Sequence, residues 1–308
     1  MGFHPLPEST DGGRNWTSDL IVLQPTAGSA DNNAVCDPSV VFSGGYYYLS
    51  YTATVQAKGG NNVFVARSKS PAGPFQKWNG HGWGGKPAPV ITYKGPRDAY
   101  GAGEPSLVVA GSTLYVYYSW LTHDAHGRRI QETRVATAPA AAADWPASLT
   151  YRGVALDNSA KPGTDSADIK YVDSYGKFVA VHAAERFTPR SYVQMWESDD
   201  GIHFRRSAEL RTGLRPHLHN AGISGDRQGH IDITRPQYLG YAYGSNASWG
   251  QWNTELHRIQ YTGEDAGQAG TPQKAAHRTL DPAQPGVTAV QSDTRGPASS
   301  MVSRRGWP

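Results

Sequence analysis

Three carboxylates recur along the 308-residue chain in one local setting, each opening an apolar strand that turns back into a second strand. Asp37 begins DPSVVFSGGYYYLSYT, Glu104 begins EPSLVVAGSTLYVYYS and Asp168 begins DIKYVDSYGKFVAVHA. The turn glycine follows at the same offset in the first two, Gly44 and Gly111, and one residue later at Gly176 in the third. Anions gathered in one concave site repel one another, and at least one pKa rises. A protonated carboxyl beside an ionised one is what acid–base cleavage of a glycosidic bond needs, and a third acid can tune the proton donor. A single acid before Pro-Ser is explained by a turn or the start of a strand. Three in equivalent places point to chemistry.

The elements that would position them repeat with a period of 67 and then 64 residues, the signature of stacked supersecondary units. Segments 46–52 and 114–118 are β-branched or aromatic at most positions and bounded by Gly or Ser turns. Third strands are expected at 63–68, 133–138 and 192–198, and fourth strands at 89–93 and 150–155. Four antiparallel strands per unit make a propeller blade. A fainter fourth unit runs through 220–225, 238–245 and 254–261, with His219 and Asn220 where the opening acid would stand. The expectation is an all-β chain folded as one β-propeller domain over 1–308, five-bladed, with four blades traceable. Residues 1–30, with a strand near 20–23, and 263–308, with one near 287–290, either close the ring or stay partly disordered.

Composition agrees with that class. Gly 35 and Pro 21 suit a turn-rich β protein, and Tyr 17 with Trp 9 against Phe 7 favours rings that pack by their faces and keep a polar edge. Such rings stack on sugars, although strand propensity explains most of them. The net charge of +3 comes without a basic block, so no nucleic-acid footprint is present. No apolar run is long enough for a membrane span. The first residues lack the apolar segment of a signal peptide, which fits a cytoplasmic chain or the mature form of a secreted or periplasmic one. The single Cys36 excludes an internal disulfide and reads as a small buried hydrophobe.

The stretch DPSVV…YYYLSYT…NVFVARSKSPAGPF, 37–75, resembles the first blade of the five-bladed propeller glycoside hydrolases of family 43 and its relatives. The likeness is looser over the next two blades and fades after about residue 204. It implies a hydrolase, inverting, acting on arabinan, xylan or galactan-type carbohydrate, with no cofactor beyond a possible structural cation in the channel. By position Asp37 matches the family's general base. The family has Asp in blade two as pKa modulator and Glu in blade three as general acid, whereas this chain has Glu104 and Asp168. Either the roles keep their blades, or the longer side chain keeps its role and Glu104 is the acid; the reach of Glu favours the second. A non-catalytic carbohydrate-binding propeller is the alternative, and a third reading has the acids holding blades together through backbone N–H groups. The implied partner is an oligo- or polysaccharide, with neither nucleic acid nor membrane.

Around these acids several residues could touch substrate. Glu185 and Arg190, in HAAERFTPRSY, fall in a loop of the third blade, where a salt bridge between them explains the pair equally well. His219 is the channel histidine implied by the resemblance. The spacing of His217, His219 and His230 is no metal-ligand pattern, and no metal site is assigned. Asp165, three residues before Asp168, reads as a second rim acid or a turn residue, with the turn favoured. Trp120 and Trp249 stand where a sugar platform could be built, and core packing explains each as well.

Overall fold

A computed structural model describes residues 4–5, 15, 21–54, 60–161, 163–244 and 252–261. The chain divides into two compact units. The first comprises Met1–Pro162 with Gly201–His203 and Arg227–His230. It opens with a two-stranded antiparallel ribbon of β1 (His4–Pro5) and β2 (Ile21–Leu23). Two four-stranded antiparallel sheets follow. One is β3 (Ala34–Ser43), β4 (Tyr46–Thr54), β5 (Asn62–Ser68) and β6 (Gln76–Lys77); the other is β7 (Gly101–Ala110), β8 (Thr113–His123), β9 (Arg129–Pro139) and β10 (Thr150–Asp157). In both, strands adjacent in sequence pair in order, the meander of a propeller blade.

Pleating explains the core. Val41, Tyr48 and Val65 from the first sheet meet Leu107, Val109, Leu114 and Val116 from the second, with Trp145 packed among them, all buried. Each such side chain stabilises the fold by about 1.5–3 kcal/mol. Tyr48 keeps its hydroxyl satisfied by donating to the Ala143 carbonyl at 3.2 Å while its ring meets Trp145 edge-on. The hairpin glycines Gly44 and Gly111 adopt φ of +54° and +58°, the left-handed region where a side chain would be strained. A buried ion pair fastens the segment after β2 to this unit. Lys77 Nζ meets Asp31 Oδ2 and donates to Thr26 Oγ1 at 2.9 Å, and the Tyr51 hydroxyl donates to Asp31 at 3.0 Å.

The second unit comprises Gly163–Asp200, Phe204–Asp226 and Ile231–Pro308. Its larger sheet contains β11 (Asp168–Val172), β12 (Lys177–Ala184), β13 (Tyr192–Ser198) and β14 (Arg205–Leu210). The other is β15 (Leu218–Ile223), β17 (Gln237–Tyr243) and β18 (Asn253–Ile259); β16 (His230–Ile231) is a short strand beside β11. Val172, Val181, Val193, Leu218, Ile223, Leu239 and Tyr241 form the core of this unit.

Four blade-type sheets are therefore present among the described residues. The fourth strand expected at 89–93 is absent: Val63 and Ile91 form an isolated bridge, and the two-residue β6 occupies the edge of that sheet. Pro87 and Pro89 remove donors that a ladder would need there. The strand expected at 150–155 forms, as β10. The expected strand near 287–290 lies outside the described residues.

Candidate active site

Asp37 and Glu104 occupy the same backbone device in consecutive sheets. In β3 the pairing steps from Cys36↔Thr52 to Ser39↔Ser50, so two residues are squeezed opposite one. In β7 it steps from Gly103↔Ser119 to Ser106↔Tyr117. Each bulge puts the acid in the left-handed region, Asp37 at φ 52° and Glu104 at φ 50°, immediately before a proline. That region disfavours L side chains, and bulges of this kind re-aim a side chain out of the pleat.

Local packing brings the neighbourhoods of these acids together within the first unit. The Tyr100 hydroxyl lies 3.5 Å from Asp37 Oδ2, and the Glu104 N–H donates to Thr52 Oγ1 at 2.6 Å. Gly103 is required for this approach, because a Cβ there would sit 2.6 Å from the Tyr100 oxygen and 2.8 Å from Thr52. Burial first, then the charges of Glu104 and Asp37, push the Tyr100 hydroxyl well above its ordinary range, so it stays a neutral donor. Burial also raises the Cys36 thiol, reinforced by the Asp37 carboxylate and then by Glu104. A thiol held protonated in this way is a poor nucleophile. Tyr100 and Cys36 each feel both acids, which makes the two carboxylates members of one electrostatic cluster.

The backbone does not repeat at the third acid. Asp168 opens β11 in regular register, opposite Val181, and its φ is not left-handed. Its Oδ1 pairs with Lys170 Nζ, and its Oδ2 accepts the Ile223 N–H at 2.9 Å. Asp168 therefore ties β11 to β15. The bulge returns in β15, between His219 and Ala221, with Asn220 at φ 48°. An exposed amide thus stands in the backbone setting that holds an acid in the first two sheets.

Asp165, read from sequence as a turn residue, is a buried hub of the second unit. It accepts Arg186 Nη1 at 3.0 Å and the Asn220 N–H at 2.9 Å, and it lies 2.6 Å from His219 Nδ1. Burial opposes its charge, but the His219 contact, the Arg186 guanidinium and the Asn220 N–H outweigh it and hold the carboxyl at about 2. The His219 ring is flanked by Phe187 and Trp252 at 4.9 and 4.7 Å between centroids.

The remaining candidates fall elsewhere. Glu185, itself at φ 48° and half-buried, pairs with the exposed Arg190 at 3.3 Å. Trp120 packs edge-on against Tyr93 at 5.0 Å and carries the Arg134 guanidinium 4.1 Å above its ring. His217 Nδ1 contacts the Phe187 carbonyl at 2.9 Å, and His230 contacts the Val109 carbonyl. Trp249 lies outside the described residues. No group of three His, Cys, Asp or Glu side chains is placed to hold a metal ion among the described residues. Sequence reasoning missed Tyr100, Thr52, Arg186 and Trp252, although Tyr100 stands four residues before Glu104, Thr52 ends the segment opened by Asp37 and Arg186 directly follows Glu185.

No protein-family model and no curated protein matches the chain. Solved structures do. An endo-arabinase from Bacteroides thetaiotaomicron aligns with a TM-score of 0.53 at 15% identity, over 80% of this chain and 82% of that one. A thermostable family-43 glycoside hydrolase gives 0.52 at 15%, over 79% and 78%. An alpha-L-arabinofuranosidase from Clostridium thermocellum gives 0.51 at 18%, over 80% and 76%. The class defined by this likeness is a β-propeller, the fold of those glycoside hydrolases. Identities this low carry the fold and not the chemistry.

Proposed function

We propose that this chain is a glycoside hydrolase acting by inversion on arabinan, xylan or galactan-type carbohydrate, with Asp37 as general base and Glu104 as general acid. The observation that carries the reading is the pair of left-handed bulges that hold two carboxylates before prolines in consecutive first strands. Strain persists where surrounding structure over-determines it, and it clusters at functional sites. Asp37 would take a proton from water as the water oxygen bonds to the anomeric carbon, and Glu104 would give its proton to the departing oxygen. Tyr100, held neutral, would donate to Asp37 and keep its ionised form aimed. Asp168 is the third carboxylate of the proposal by its place in the sequence repeat, paired with Lys170 as a fixed anion. Arabinan comes first among substrates because two of the structural neighbours are named as an endo-arabinase and an arabinofuranosidase.

The test is a screen of the native protein and Asp37→Asn on aryl glycosides of arabinofuranose, xylopyranose and galactopyranose and on arabinan, xylan and galactan. Turnover by the native protein that disappears in a folded variant is the expected result. Turnover that survives Asp37→Asn refutes the base assignment. Binding without turnover in both would make the chain a carbohydrate-binding propeller. The anomeric form of the first product, followed by NMR, decides inversion.

A further inference from the structure

Asp165 is spent on no role in the proposed reaction, yet it is among the most elaborately satisfied side chains of the second unit. Its carboxylate is 1% exposed. Besides Arg186, His219 and the Asn220 N–H, it accepts the Ser166 N–H at 3.0 Å. Three hydrogen-bond donors and the close contact of His219 Nδ1 around one buried anion amount to a clamp with two outputs. One is the ring of His219, gripped at Nδ1; the other is the backbone of Asn220, gripped at the bulge.

We propose that Asp165 is a positioning residue: it fixes the proton of His219 on Nδ1 and locks the β15 bulge, so that an oriented imidazole and the Asn220 amide of this unit serve a sugar hydroxyl. A carboxylate at Nδ1 selects the tautomer whose lone pair is on Nε2. Phe187 and Trp252 flank the ring and fix its plane. Asp165 and, through it, Arg186 are charged groups beside His219. The exposed Asn220 side chain has both a donor and an acceptor, the chemistry a hydroxyl calls for. The choice of a sugar as ligand rests on the function proposed above; the clamp itself does not.

The experiment is long-range proton–nitrogen NMR on the native, histidine-labelled protein at a pH above the ordinary imidazole range. The expected result is the Nδ1–H tautomer for His219; the Nε2–H tautomer, or an equal mixture, overturns the clamp. In Asp165→Asn a single carbonyl oxygen faces three donors and the His219 Nδ1 contact, and the tautomer preference is expected to collapse, whereas Arg186→Gln leaves it in place. An unchanged preference in a folded Asp165→Asn also overturns it. Should that variant fail to fold, the native tautomer decides. Arabinotriose is then expected to shift the Asn220 side-chain amide resonances of the native protein, with binding about tenfold weaker in Asp165→Asn. No shift in the native protein overturns the hydroxyl role. Failure of turnover with tautomer and shift intact would remove the hydrolase reading alone.

Discussion

Replacing Glu104 with glycine separates a catalytic carboxylate from a structural one. The residue sits at φ 50° before Pro105, a conformation that costs an L side chain about 1–2 kcal/mol and that glycine adopts freely. Against this, glycine loses more backbone freedom on folding, about 0.5–1 kcal/mol. The bond from the Glu104 N–H to Thr52 Oγ1 is made by the backbone and survives the change. The net expectation is a gain of about 0.5–1 kcal/mol, which raises Tm by about 2 °C for a chain of this size. Asp168→Gly is the contrast. There the backbone is ordinary strand, and the change discards the Lys170 pair and the acceptor for Ile223. Charge-assisted bonds contribute about 1.5–3 kcal/mol each, so a loss of about 3 kcal/mol and several degrees follows. Calorimetry on both variants, with turnover measured alongside, reads the outcome. Glu104→Gly should melt higher and hydrolyse nothing. A fall in its Tm of more than about 3 °C would refute the argument that the bulge stores strain for chemistry.

Four further outcomes follow from the geometry. The depressed Asp165 pKa, about 2 against an ordinary value near 3.8, contributes stability that is complete above pH ~4 and lost as pH falls toward 2. Urea midpoints measured from pH 5 to 2 should show this loss, about 2 kcal/mol, and Asp165→Asn should abolish it. Lys77→Met leaves the Asp31 carboxylate buried without its cation and should cost about 3–5 kcal/mol by denaturant titration. Cys36, its thiol raised by burial and by Asp37, should react with iodoacetamide at pH 8 at least about a hundred times more slowly in the native protein than when unfolded. Tyr100→Phe removes the donor beside Asp37 and should lower kcat about tenfold with folding unchanged, a comparison made by steady-state kinetics and circular dichroism.

The chain's own pattern determined a good deal. Alternating β-branched and aromatic residues between glycine turns made the strands legible, and the period of acid, strand, turn and strand made the blades legible, because side-chain alternation and turn chemistry are local. What spacing could not reveal is register. Asp37, Glu104 and Asp168 look equivalent in sequence, but a bulge adds a residue to one strand of a ladder, and only pairing with the partner strand exposes it. Thus Asn220, and not Asp168, shares the left-handed setting of the first two acids. Likewise Asp165 passed for a turn residue because its partners Arg186, His219 and Asn220 are far along the chain and meet it only after folding. The carboxylates themselves were plain in the sequence. Which were strained, which were clamped and which had a cation beside them depended on contacts between segments distant in the chain, and those only the tertiary structure decided.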